Sequence, residues 1–187
     1  MKGKQHHIVR WLTIEGQANV QAVDKEGLTA LHVAAQGCDL KSAEILLERN
    51  ASVNAMSSTN LTPLHCIPHS EGVGVLRLLH EKSADINAID KDNNRITHKA
   101  ARKGDSASLL FKVAGDLGAD LEAPGAQGNT PAHLAAESGS KAILGILIQK
   151  KVELEKTRNS AGYTPLMMTS QASKVEMMRL LLDQGVS

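Results

Sequence analysis

The sequence predicts an all-α solenoid, a stack of helix-turn-helix units, on three observations. The first is recurrence. A Thr-led stretch begins at Thr29, Thr62, Thr130 and Thr164, with Arg95-Ile96-Thr97-His98 as a degenerate copy, so the spacings are 33, 33, 35 and 34 residues. A fixed period of this length marks stacked repeats, in which each unit buries its apolar face against its neighbours. The second is that an apolar run follows each stretch at a distance suited to a second, antiparallel helix. The third is composition. Apolar residues make up 42% of the chain but aromatic residues only 2%, namely Trp11, Phe111 and Tyr163. Thin layers of Leu, Ile, Val and Ala have little room for rings.

The clearest unit begins at 128–139, which reads G-N-T-P-A-H-L-A-A-E-S-G. Thr130 is a good N-cap and Pro131 suits the first helical position. Gly139 ends the helix with a positive φ. The apolar run at 142–148 supplies the second helix. Taken in order, residues 8–12 read as the second helix of a partial repeat, with Trp11 shielding the end of the array. In the first full repeat, Asp24-Lys25-Glu26-Gly27 is a turn, and helices are predicted near 30–36 and 41–49. Gly37 and Cys38 stand out of the usual order there and predict a different inter-helix turn. In the second, Pro68 should end the first helix early, and Gly72 and Gly74 should loosen the start of the next. In the third, Arg95 removes the Thr cap, and the two extra residues are placed at 112–117. The stretch 66–100 is therefore expected to be the weak part of the array. In the fifth, Met167 replaces His, while Met168, Met177 and Met178 fill the core with adaptable side chains. Leu47, Leu79, Leu147 and Leu181 are expected to form a buried column. Without a polar cap, Met177, Met178, Leu181 and Leu182 are expected to be partly bare, so the chain reads as a fragment or one domain of a longer protein.

The period and the signature T-P-L-H-x-A-A resemble the ankyrin repeat over nearly the whole chain. The resemblance implies short β-hairpin-like links and one array over 1–187. Its parts are a partial repeat at 8–23 and repeats at 24–56, 57–89, 90–124, 125–158 and 159–187. It gives His32, His65, His98 and His133 a structural role, bonding backbone or the nearby Thr hydroxyl to fix the hairpin. Thr29, Thr62, Thr130 and Thr164 cap the first helices. The implied function is protein binding on a concave wall of hairpin tips and first helices. The expected patch there is Arg102, Lys103, Asn129, Glu137 and Tyr163, with Tyr163 as the aromatic anchor. The alternative is a passive spacer or sensor segment of a larger protein. In animal ankyrin-repeat proteins an asparaginyl hydroxylase modifies Asn in links similar to those holding Asn54 and Asn87, with Asn87 expected to be the better substrate.

Other chemistry is not expected. The chain has 21 Lys and Arg against 20 Asp and Glu, a net charge of +1, which argues against a nucleic-acid surface. Cys38 and Cys66 are too few for a disulfide framework and point to a reducing, intracellular compartment, cytoplasmic or nuclear. No apolar run approaches the ~20 residues that span a bilayer, and 1–7 is polar with no secretion signal behind it. His6 and His7 suggest only adventitious metal binding. No phosphate loop, dinucleotide fingerprint, zinc-protease motif or nucleophile elbow is present. The expectation is a monomer without catalytic residues, metal or cofactor.

Overall fold

The computed structural model describes residues 19–183 and residue 185. The helix predicted at 8–12 in the partial repeat, with Trp11, and the pair His6-His7 lie outside the described residues. The helices come in antiparallel pairs: α1 (Ala30–Gln36) with α2 (Leu40–Glu48), α4 (Ile96–Lys103) with α5 (Ser108–Asp116), α6 (Pro131–Ser138) with α7 (Lys141–Gln149), and α8 (Pro165–Gln171) with α9 (Val175–Asp183). In the second repeat a 3-10 turn, Pro63–Cys66, stands in for the first helix and precedes α3 (Val73–Glu81). First elements stack on first elements and second helices on second helices, from α1 through α8 and from α2 through α7. Among the described residues the only β feature is an isolated antiparallel bridge between Val23 and Thr29.

The core is a strip between these two layers. Leu46, Leu79, Leu147 and Leu181 recur down the second helices and are at most 2% exposed. The first member of this column is therefore Leu46, not Leu47, which is only half-buried. Phe111 occupies the position held by Ala43, Leu76 and Leu144 in the first, second and fourth repeats, and all four are fully buried. One layer does accommodate a ring. At the far end, Met177 and Leu181 are buried while Leu182 is 53% exposed, so only part of that face is bare.

The irregular turns have local causes. Cys38, with φ 53°, takes the left-handed position that Gly139 holds with φ 78°. Gly37 stays right-handed one residue earlier, so the shifted glycine leaves a cysteine in a conformation that costs on the order of 1 kcal/mol. Pro68 indeed follows a first element of only four residues. Gly72 is not a loosening residue. It is buried, and a Cβ there would meet Ile67 Cγ2 at 2.2 Å, so it permits close packing of the turn.

The two extra residues of the third repeat lie in the inter-helix turn at Gly104–Ala107, not at 112–117. The left-handed residues at the two ends of the second helix are Cys38 and Asn50 in the first repeat, and Gly104 and Gly118 in the third. The added length falls before α5 begins at Ser108. There Asp105 accepts hydrogen bonds from Ser140 Oγ at 2.5 Å and from the Ala142 amide at 3.3 Å. The insertion thus helps cap α7 of the following repeat.

Candidate functional site

Four of the five links are turns built on one side chain placed five residues before the Thr position. Asp24 Oδ1 accepts from the amides of Glu26 and Leu28 at 2.8 and 2.9 Å. Asp90 Oδ1 does the same for Asp92 and Asn94, and Asn159 Oδ1 for Ala161 and Tyr163. Ser57 Oγ serves the second link. Short oxygen-bearing side chains suit this role because they replace a missing backbone partner. Gly125 stands at this position in the fourth link and has no side chain to offer. There Asn94 Oδ1 of the preceding link accepts from the Ala126 amide at 3.2 Å. Elsewhere successive tips are tied by backbone bonds, from the Ser58 amide to Glu26, Lys91 to Thr59 and Ser160 to Gln127.

Three of the four repeat histidines, His32, His65 and His133, bind one repeat to the next, and His98 ties α4 to the end of its own repeat. His32 Nδ1 accepts from the Thr29 amide at 3.0 Å and lies 2.9 Å from the Thr29 hydroxyl, while Nε2 is 2.9 Å from the Leu61 carbonyl. An amide can only donate and a carbonyl only accept, so the ring is neutral with its proton on Nε2. His65 repeats this with Thr62 and the Asn94 carbonyl, and His133 with Thr130 and the Tyr163 carbonyl. His98 accepts from the Arg95 amide at 3.1 Å although Arg95 has no hydroxyl, and its Nε2 reaches the Ala123 carbonyl at 3.0 Å. The first turn of α4 therefore keeps its His cap. Burial pushes all four rings below the ordinary histidine value. His98 falls furthest, to about 4, with the charges of Arg95 and Arg102 acting in the same direction. Thr164 uses its own hydroxyl to accept from the Met167 amide, and Met167 is 47% exposed.

A second ladder runs through the links. Asn54 donates to the Ser83 carbonyl at 3.2 Å and accepts from the Asp85 amide at 3.0 Å. Asn87 does the same with Gly118 and Asp120, and Gln21 with Asn50 and Ser52. At the next equivalent position, Glu122 accepts weakly from the Glu153 amide at 3.4 Å. A carboxylate cannot supply the donor half of the bridge.

Between the first helices and the link tips, Arg102, Asn129, Glu137 and Tyr163 line one groove of about 570 Å³. Its remaining wall includes Leu134, Asn159, Met168 and Gln171. Tyr163 is fixed by its backbone. Its amide donates to Asn159 Oδ1 and its carbonyl accepts from His133 Nε2 at 2.8 Å, while the residue is 41% exposed. Two of the expected patch residues sit differently. Asn129 is only 8% exposed, and its Oδ1 accepts from Asn159 Nδ2 at 2.8 Å, so it forms a committed floor and not an open contact. Lys103 is exposed but lies in a neighbouring cleft of about 370 Å³ with Pro68, His69, Ser70, Glu71 and Ser106. Sequence reasoning missed Asn159, although the Asp-Ser-Asp-Asn series five residues before each Thr position carried its signal.

The ankyrin-repeat family matches this chain three times, over residues 1–90, 66–158 and 97–187, and the chain belongs to that family. Ankyrin repeats are in general protein-interaction modules and typically not enzymes. Among curated proteins, it is 32% identical over 91 residues to alpha-latrotoxin-Lh1a of Latrodectus hasselti, covering 47% of this chain and 6% of that protein. It is 30% identical over 93 residues to alpha-latrotoxin-Lt1a of Latrodectus tredecimguttatus, covering 49% and 7%. The aligned region is thus a small fraction of these relatives' length. Among the described residues no cluster of His, Cys, Asp or Glu could hold a metal ion, and no helix is long and apolar enough to cross a membrane.

Proposed function

We propose that the chain is a protein-binding module whose site is the concave groove holding Arg102, Glu137 and Tyr163, working as one array with repeat boundaries at 24, 57, 90, 125 and 159. The observation that carries this is convergence. Residues drawn from three repeats meet in one groove with an anchored, half-exposed tyrosine at its edge. Tyrosine and arginine are among the residues enriched at interface hot spots. With only two cysteines, too few for a disulfide framework, we read the chain as a monomer of a reducing intracellular compartment.

The test is comparative capture on the immobilised chain. Tyr163→Ala and Arg102→Glu should each reduce retention of the same partner by roughly tenfold or more, with thermal melts unchanged. Arg77→Glu on the outer helix α3 should retain it. Equal retention by all variants would remove the groove as the site and favour a spacer.

A second reading concerns Asn54 and Asn87, whose matched link geometry makes them equivalent candidates for asparagine hydroxylation. Both amides are engaged in the folded links, so modification requires local opening. Intact-peptide mass spectrometry of protein from its native host should show an added oxygen at Asn87 before Asn54. Unmodified peptides at both positions would leave them purely structural.

A further inference from the structure

Helix α4 differs from every other first helix in charge. Arg95, Lys99, Arg102 and Lys103 stand at i, i+4, i+7 and i+8, which places them along one side of a helix. Arg102 lines the concave groove, so this side belongs to the concave wall. The equivalent positions of the preceding repeat are Thr62, Cys66, His69 and Ser70, and those of the following repeat are Thr130, Leu134, Glu137 and Ser138. Neither set contains a lysine or arginine.

These cations are mostly unspent. Lys99 is paired with the buried Asp90 at 3.4 Å. Arg102 and Lys103 are exposed, and neither forms an ion pair among the described residues, although Glu137 shares the groove of one and Glu71 the cleft of the other. Arg95 Nε is buried without a hydrogen-bond partner. Their field is felt by the neighbours. Lys99 acts on His65, and Arg95 and Arg102 act on His98, each favouring the neutral ring.

We infer that the concave face of α4 docks an acidic peptide segment of a partner protein, its carboxylates set against Arg102 and Lys103. This rests on the concave-wall reading above and names the chemistry of the partner. Side chains three or four apart on a helix are about 5–6 Å apart. Alternate residues of an extended peptide are about 6.6 Å apart, so acids on every second residue can follow the helix. A nucleic acid fits less well. The cationic stretch is only about 12 Å long, and Glu71 and Glu137 flank it, where a polyphosphate backbone with a charge about every 1.7 Å would meet them.

The test uses fluorescence anisotropy with a labelled twelve-residue Glu-Ser repeat peptide, its Gln-Ser counterpart and a short single-stranded DNA. The Glu peptide should bind at low salt and weaken as salt rises. The Gln peptide, and the Arg102→Glu/Lys103→Glu double variant with the Glu peptide, should each bind roughly tenfold more weakly or worse. Arg77→Glu/Lys82→Glu makes the same charge change on the outer helix and should leave binding within about twofold. Melts of both double variants establish that they remain folded. Equal binding of Glu and Gln peptides, equal losses in the two double variants, or tighter binding of the DNA would overturn the inference. Loss of partner capture in Tyr163→Ala together with no binding of the Glu peptide would sink the acidic partner alone and leave the concave wall as the binding surface.

Discussion

Lowering the pH from 7 to 5 should destabilise the fold by on the order of 2 kcal/mol through His98 alone. The sign follows from the two states. Unfolded histidine titrates near 6.5 and folded His98 near 4. Between these values the unfolded chain binds more protons, so stability falls as pH falls from about 6.5 and levels off below about 4 for this group. The cause is local. Nδ1 already accepts the Arg95 amide and Nε2 already donates to Ala123, so an added proton breaks the first bond and buries a charge beside Arg95. His32, His65 and His133 are shifted in the same direction by burial and steepen the slope. Denaturant melts at intervals across this range measure it. His98→Gln should be less stable at pH 7 and show a shallower pH dependence. A flat profile in the unmodified protein would contradict the neutral, buried assignment of these rings.

Leu147→Ala should cost roughly 2–5 kcal/mol. Leu147 is fully buried in the column of Leu46, Leu79 and Leu181, and neighbouring layers are fixed by hydrogen bonds that resist collapse into a cavity. Leu182→Ala, at a side chain 53% exposed, should change stability by no more than about 0.5 kcal/mol. The two melts together check the register of the second helices. Comparable losses at the two positions would mean that the buried column has been assigned to the wrong face.

How far the sequence could be read depended on the kind of interaction. Thr130, Pro131 and Gly139 act locally through backbone geometry, and α6 follows them closely. The column of leucines was legible from period alone, with one slip between Leu46 and Leu47 because both are apolar and adjacent. Gly72 was misread because its reason for being glycine is Ile67, a contact made by the folded turn. The insertion in the third repeat was misplaced because α5 is apolar enough to absorb an extra two residues on paper. The left-handed residues Gly104 and Gly118 and the start of α5 at Ser108 show where they go. In the groove, Arg102, Glu137 and Tyr163 came together because register alone predicts a shared wall. Asn129 shares that register, but a side chain that bonds sideways to Asn159 cannot be seen from spacing.

The histidine bridges have a direction. In three of the four pairs the ring belongs to the earlier repeat and the carbonyl to the later link, as with His133 and Tyr163, while His98 reaches Ala123 at the end of its own repeat. The two halves of such a bond are not equally replaceable. Taking away the earlier repeat uncovers a backbone carbonyl, which water readily serves. Taking away the later one strands a ring N–H in the interior, where an unmet donor costs about 1–3 kcal/mol. The first, second and fourth repeats therefore lean on their successors more than on their predecessors. The fifth repeat, with Met167 where the ring would be, makes no such demand on anything that follows it.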